Sequence, residues 1–176
     1  MYRPEGYKNL LTYKQGQEIY IFTKKFTARF LDPIHDLRLI CHLNDSARSV
    51  PRNIAEGYKR GNTKSYLEFL GFSRASLEEL KEDYKELERE YKEGIRSDKD
   101  RNKGGAESDK EKNKEEMIRI IEGILTKIYG EDCMLGRQIK GLEQKYVEKG
   151  DEKEKLNKNR NNYQKQQIVN NWHSRF

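Results

Sequence analysis

The sequence predicts an all-α protein: an up-and-down four-helix bundle with a charged disordered insertion between helices 3 and 4 and a flexible polar C-terminal tail. Three observations carry this. Apolar or small residues at Tyr66, Leu70, Ser73, Leu77, Leu80, Tyr84, Leu87 and Tyr91 alternate four- and three-residue spacings without a slip, which is one stripe of a single helix. Upstream, Leu37, Ile40, Asn44, Ala47, Pro51, Ile54 and Tyr58 repeat the alternation. Between the two runs, Gly61-Asn62-Thr63 supplies a helix-ending glycine and then an N-cap, so the pair forms an antiparallel helical hairpin. Two further runs of helical period flank the hairpin, and together the four can close a bundle.

Residues 1–8 are polar, contain Pro4 and Gly6, and form a loose lead-in. The first helix, near 12–30, follows from Ile19, Phe22, Phe26 and Phe30, with Lys24, Lys25 and Arg29 on the other faces. Pro33 pushes Asp32 out of the helical region, and Asp32 or Asp36 can cap the second helix, near 36–60. Pro51 falls inside that helix. It removes one backbone hydrogen bond at a cost of roughly 3 kcal/mol, yet the apolar register continues in phase across it, which favours a kink over a split.

The third helix, near 63–92, ends where the composition changes. Residues 93–114 hold one large apolar residue, Ile95, and a Gly104-Gly105 pair, so they cannot bury a face and are expected to be a flexible insertion. The fourth helix, near 115–146, starts with acidic residues at its positive end and presents Met117, Ile120, Ile121, Ile124, Leu125 and Ile128. The pattern resumes past Gly130 at Leu135, Ile139, Leu142 and Tyr146, which favours one long helix over a break. Residues 1–146 are thus expected to be the bundle domain, and 147–176 a disordered basic tail rich in Asn and Gln.

The run ARSVPRNIAEGY from Ala47 to Tyr58, followed by Arg60, Lys64, Phe69, Leu70, Arg74, Ser76, Leu77, Glu79 and Leu80, resembles the four-helix bundle proteins encoded by intervening sequences in large-subunit (23S) ribosomal RNA genes. The likeness covers Leu11 to Tyr91 and resumes more weakly from Leu135 to Leu142. More distantly, the chain is similar to the accessory proteins of diversity-generating retroelements. The resemblance implies a ring of five four-helix subunits. For the retroelement group it also implies a reverse transcriptase and nucleic acid as partners. It implies no settled biochemical activity for the rRNA-encoded group.

Of the 176 residues, 34% are hydrophobic and 38% charged, so a fraction of the chain must supply the core. One domain is expected at this length. Thirty-six Lys and Arg against 30 Asp and Glu give a net charge of +6, which favours an acidic partner such as RNA without demanding one. Cys41 and Cys133 lack the spacing of a zinc ribbon or a redox pair and are expected to be reduced and structural. Neither a signal peptide nor a membrane span is legible, so a soluble, cytoplasmic protein without membrane contact is expected.

Catalysis on helices needs Ser, His, Asp or Glu converging from facing stripes, and none stands out. His35, Cys41 and His42 are the one tempting metal set. Cys41 and His42 point about 100° apart on a helix, which argues against it. Glu56 is expected to be polar surface or interface rather than a base, and no nucleotide-binding glycine loop occurs. No cofactor is expected, and the protein is read as non-enzymatic.

The constellation with functional content is basic: Arg48, Arg52, Lys59, Arg60 and Lys64 run through the second helix and its turn, and Arg74 follows on the third. Arg48, Arg52 and Lys59, at offsets of four and seven, share one side and suit phosphates spaced along RNA, with Tyr58 and Tyr66 near enough to stack on an unpaired base. The same charges can be paired with Glu56 and Glu68 or meet an adjacent subunit.

Overall fold

The computed structural model describes residues 5–95 and 107–149. A short 3-10 turn, Gly6–Asn9, leads into four helices: α1 Leu11–Phe30, α2 Leu37–Lys59, α3 Thr63–Lys92 and α4 Glu107–Lys149. Each helix packs on its neighbours in chain order, and α4 closes the bundle against α1. The expected all-α bundle is the observed one.

The turns are built as their side chains dictate. Leu31 ends α1, donating its N–H to the Thr27 carbonyl, and the Asp32 carboxylate accepts the N–H groups of Ile34 and His35 at 2.8 Å each. These two bonds, with the His35 ring, hold the Asp32 carboxyl below its ordinary range. Asp36 occupies the N-cap of α2 but does not cap it; its carboxylate accepts the Asp32 N–H instead, at 2.8 Å. Between α2 and α3, Gly61 takes a left-handed φ of 67°, and Asn62 Oδ1 accepts the Ser65 N–H at 2.8 Å as a true N-cap.

Helix α2 runs unbroken through Pro51, which is buried. Gly16 makes room for it. A Cβ on Gly16 would stand 3.2 Å from Val50 Cγ1 and 3.5 Å from the Pro51 ring, so α1 approaches α2 closely where the proline interrupts the hydrogen-bond ladder. Helix α4 is likewise continuous across Gly130, where the Gln15 side chain crosses from α1 and donates to the Lys127 carbonyl at 2.9 Å.

The α3 stripe is buried as expected from Leu70 to Tyr91, with Tyr66 half-buried at its start. On α2 the buried face is rotated from the expected one. Leu43, Val50 and Gly57 join Ala47, Pro51 and Ile54 in the interior, while Leu37 is 57% exposed and Ile40 only partly covered. The expected row was one edge of a wider face, because α2 packs between α1 and α3 and must serve both. On α1, Phe22 is exposed, and the small residues Thr12, Gly16 and Thr23 share the interior with Ile19 and Phe26. Burying Thr23 has a purpose: Tyr84, fully enclosed, donates its hydroxyl proton to Thr23 Oγ1 at 3.1 Å and meets the Phe26 ring edge-on.

Helix α4 begins at Glu107 rather than near Glu115. Periodicity could not reveal this start, since its first turns contain no large apolar residue and rest on the helix propensity of Glu and Lys. The remainder of the expected insertion, and the tail beyond Lys149, lie outside the described residues.

Candidate nucleic-acid interface

All six basic residues singled out by the sequence are exposed, but they do not form one free row. Arg48, Arg52 and Lys59 project from the solvent side of α2. Arg48 Nη2 lies 3.3 Å from Asp45 Oδ1, one turn earlier. Lys59 Nζ sits 5.1 Å above the centre of the Tyr7 ring, a cation–π contact to the 3-10 turn. Arg60 combines a 2.8 Å ion pair to Glu56 with stacking over Phe69 at 5.1 Å. Arg52 and Lys64 form no ion pair among the described residues. Exposed pairs such as Arg48–Asp45 are worth about 0.2–1 kcal/mol, so a phosphate can displace the carboxylate at little cost.

Arg74 belongs to a different structure. Its Nε and Nη2 grip the two carboxylate oxygens of Asp132 at 2.7 and 3.3 Å, joining α3 to α4. That hydrogen bonding raises the guanidinium's already high pKa. The fork geometry makes Arg74 a helix–helix tie, set apart from the α2 row.

The two tyrosines expected to stack on bases are committed to packing. Tyr58 stands edge-on between Tyr7 and Tyr66, with ring centres 6.2 and 6.0 Å away. Tyr66 OH accepts a hydrogen bond from Gln138 Nε2 at 2.6 Å, while Thr12 donates to the other end of the Gln138 amide at 2.8 Å. Burial pushes the Tyr66 phenol up to about 12, with the Gln138 bond acting the other way. One glutamine of α4 therefore links α1 to α3. The exposed aromatic surface lies elsewhere, on Phe22, Phe72 and Tyr129, which are 41%, 57% and 49% exposed.

In the His35, Cys41 and His42 set, each histidine meets a carboxylate. His35 Nδ1 lies 3.1 Å from Asp32 Oδ1, and His42 Nδ1 lies 2.6 Å from Asp83 Oδ2 on α3. Among the described residues no group of three or more His, Cys, Asp or Glu is gathered for a metal. Both cysteines are free, as expected, but exposed, so neither has the structural role assigned to it. Among the described residues no helix is long and apolar enough to cross a membrane.

One residue with chemical potential is missed by the periodic pattern of large apolar residues: Glu131, wholly buried, with neither carboxylate oxygen hydrogen-bonded. A signal was present. Ile124, Ile128, Glu131, Leu135, Gln138 and Leu142 alternate four and three, so an acid stands at a core position of α4.

No curated protein matches the chain. The family model of the 23S rRNA-intervening sequence protein matches residues 8–96, which takes in α1, α2 and α3 together with the basic side of α2 and the Gly61-Asn62 turn, and stops short of α4. With half of its length matched, on the helices that carry the candidate interface, the chain belongs to the 23S rRNA-intervening sequence protein family.

Proposed function

We propose that this is a non-enzymatic, homo-oligomeric, cytoplasmic RNA-associated protein whose contact surface is the solvent side of α2. The observation that carries this reading is the exposed set Arg48, Arg52 and Lys59 at helical offsets of four and seven, with Lys64 beyond the turn. Its charges are unpaired, weakly paired or stacked on a ring, in a family named for ribosomal RNA. Phosphate recognition requires cations at intervals on a rigid element, and α2 supplies them, so binding should be strong at low salt and indifferent to sequence.

Self-association into a ring, a pentamer by resemblance, is part of the proposal. Ile21, Phe22, Phe72 and Tyr129 leave apolar surface on three helices that a single bundle has not covered. The same surface supports a second reading, a scaffold for another protein such as a reverse transcriptase.

Retention of the purified protein on immobilised RNA, measured between low and physiological salt, separates the two. Steeply salt-dependent retention supports the RNA reading. No retention at low salt would overturn it and favour the scaffold. RNA cleavage appearing with magnesium would overturn the non-enzymatic assignment.

A further inference from the structure

Glu131 is fully enclosed in the interior of α4, between Ile128 and Leu135, which are also buried. Neither carboxylate oxygen has a hydrogen-bond partner. A lone ionised carboxylate in such a place is stripped of its water without gaining a counter-charge, the most expensive way to bury an acid.

The cross-bundle hydrogen bonds define its level. Gln15 reaches the Lys127 carbonyl and Thr12 reaches Gln138, so Glu131 is level with residues 12–18 of α1. Arg74 holds Asp132 and Tyr66 meets Gln138, which places residues 66–74 of α3 there too. Ser73 donates to the Val50 carbonyl and Gly57 adjoins Phe69, which adds residues 50–57 of α2.

The charged and titratable groups at that level all lie away from it. Lys14 and Glu18 of α1, Arg52 and Glu56 of α2, and Glu68 and Arg74 of α3 are exposed. On α4 itself, Lys127 is paired with Glu18 and Asp132 with Arg74. The phenols of Tyr13 and Tyr66 accept from Gln17 and Gln138, and Tyr129 and Cys133, each two residues from Glu131 on α4, are exposed. Among the described residues no cation at this level points inward to neutralise Glu131.

We propose that Glu131 is a proton-operated lock on α4: the bundle closes around the neutral carboxyl, and loss of its proton to solvent base releases the second half of α4 from α1 and α3. The part-buried interlocking partners are amides and hydroxyls, Gln15, Gln138, Thr12 and Tyr66, whose bonds do not titrate in the neutral range, while the ionic ties at this level, Arg74–Asp132 and Lys127–Glu18, lie at the surface. Glu131 is therefore the group on which proton loss acts. Burial accordingly pushes its carboxyl from 4.5 up to about 9.

The sign follows. The folded state holds a proton that the unfolded chain releases above 4.5, so stability falls as pH rises from 4.5 to about 9 and then levels off. Relative to a non-titrating residue at position 131, the ratio of folded to unfolded protein should drop by up to about tenfold per pH unit in that window.

Two measurements on the full chain test this. With carbon-13 in the glutamate carboxyls, one resonance of the native protein should titrate near 9 and vanish in Glu131→Gln. Denaturant unfolding should show wild-type stability declining from about pH 5 to 9 against Glu131→Gln, and amides after Glu131 should lose exchange protection at about pH 9.5 before those of α2 and α3. If the amide variant fails to fold, Glu131→Met serves as the reference, and the wild-type titration stands alone. A carboxyl titrating in the ordinary glutamate range, or α4 protection unchanged once the carboxyl has ionised, would overturn the lock.

Discussion

Gly57 of α2 lies so near Phe69 of α3 that a Cβ at position 57 would stand 2.6 Å from Phe69 Cβ and 2.9 Å from Tyr66 Cδ2. This close approach seats the tyrosine and phenylalanine cluster at the hairpin end and lets Arg60 stack on Phe69. Gly57→Ala gains up to ~1 kcal/mol of helix propensity but must push two helices apart, and overpacking of this kind costs about 1–3 kcal/mol. Urea denaturation should therefore show net destabilisation. A more stable variant would mean that the helices are not this close.

Leu77 and Leu80 are fully buried on the α3 stripe. Truncating either to alanine should cost ~2–5 kcal/mol, whereas Phe22→Ala, at a site 41% exposed, should cost far less in the isolated subunit. Equal effects at all three positions would contradict the assignment of the core.

The contrast between Leu77 and Phe22 shows where the sequence was informative. Helix α3 has one well-defined seam, so its period located the face from Leu70 to Tyr91 correctly, and the Gly61-Asn62 turn announced itself through the chemistry of both residues. Helix α2 serves two neighbours, and a single-stripe reading selected Leu37 and missed Leu43 and Val50. In α1, glycine and threonine hold interior positions that a search for large apolar residues passes over. The basic residues were legible as a set, but not their division. Arg74 looked like a continuation of the row until Asp132, fifty-eight positions away, appeared beside it. Tyr58 and Tyr66 looked available because Tyr7 and Gln138, which engage them, are distant in sequence.

Removing the helix tie should separate structure from binding. Arg74→Gln breaks the bidentate contact to Asp132, and because the pair is roughly half exposed the destabilisation should be at most about 1 kcal/mol. RNA affinity should be nearly unchanged if Arg74 lies off the interface. A large drop in affinity without a change in melting temperature would place Arg74 on it.

The proposed self-association should be visible by light scattering at micromolar concentration as a closed oligomer, of five copies by resemblance. Phe72→Ser should weaken assembly while leaving helical content intact, since the ring is exposed on α3. A monomer at that concentration would remove the ring from the proposed function.

The salt dependence of RNA affinity in the triple variant Arg48→Gln, Arg52→Gln and Lys59→Gln bears on the α2 surface itself. Each cation removed from a phosphate of single-stranded RNA lowers the slope of log affinity against log salt by ~0.7, so three should lower it by roughly 2 per engaged chain, with similar weakening for every RNA sequence. The variant must first be shown to keep its oligomeric size and melting temperature. A flattened slope with a uniform fall in affinity is the predicted result. A folded, assembled variant with unchanged affinity and slope would contradict assignment of the α2 side as the RNA-binding surface.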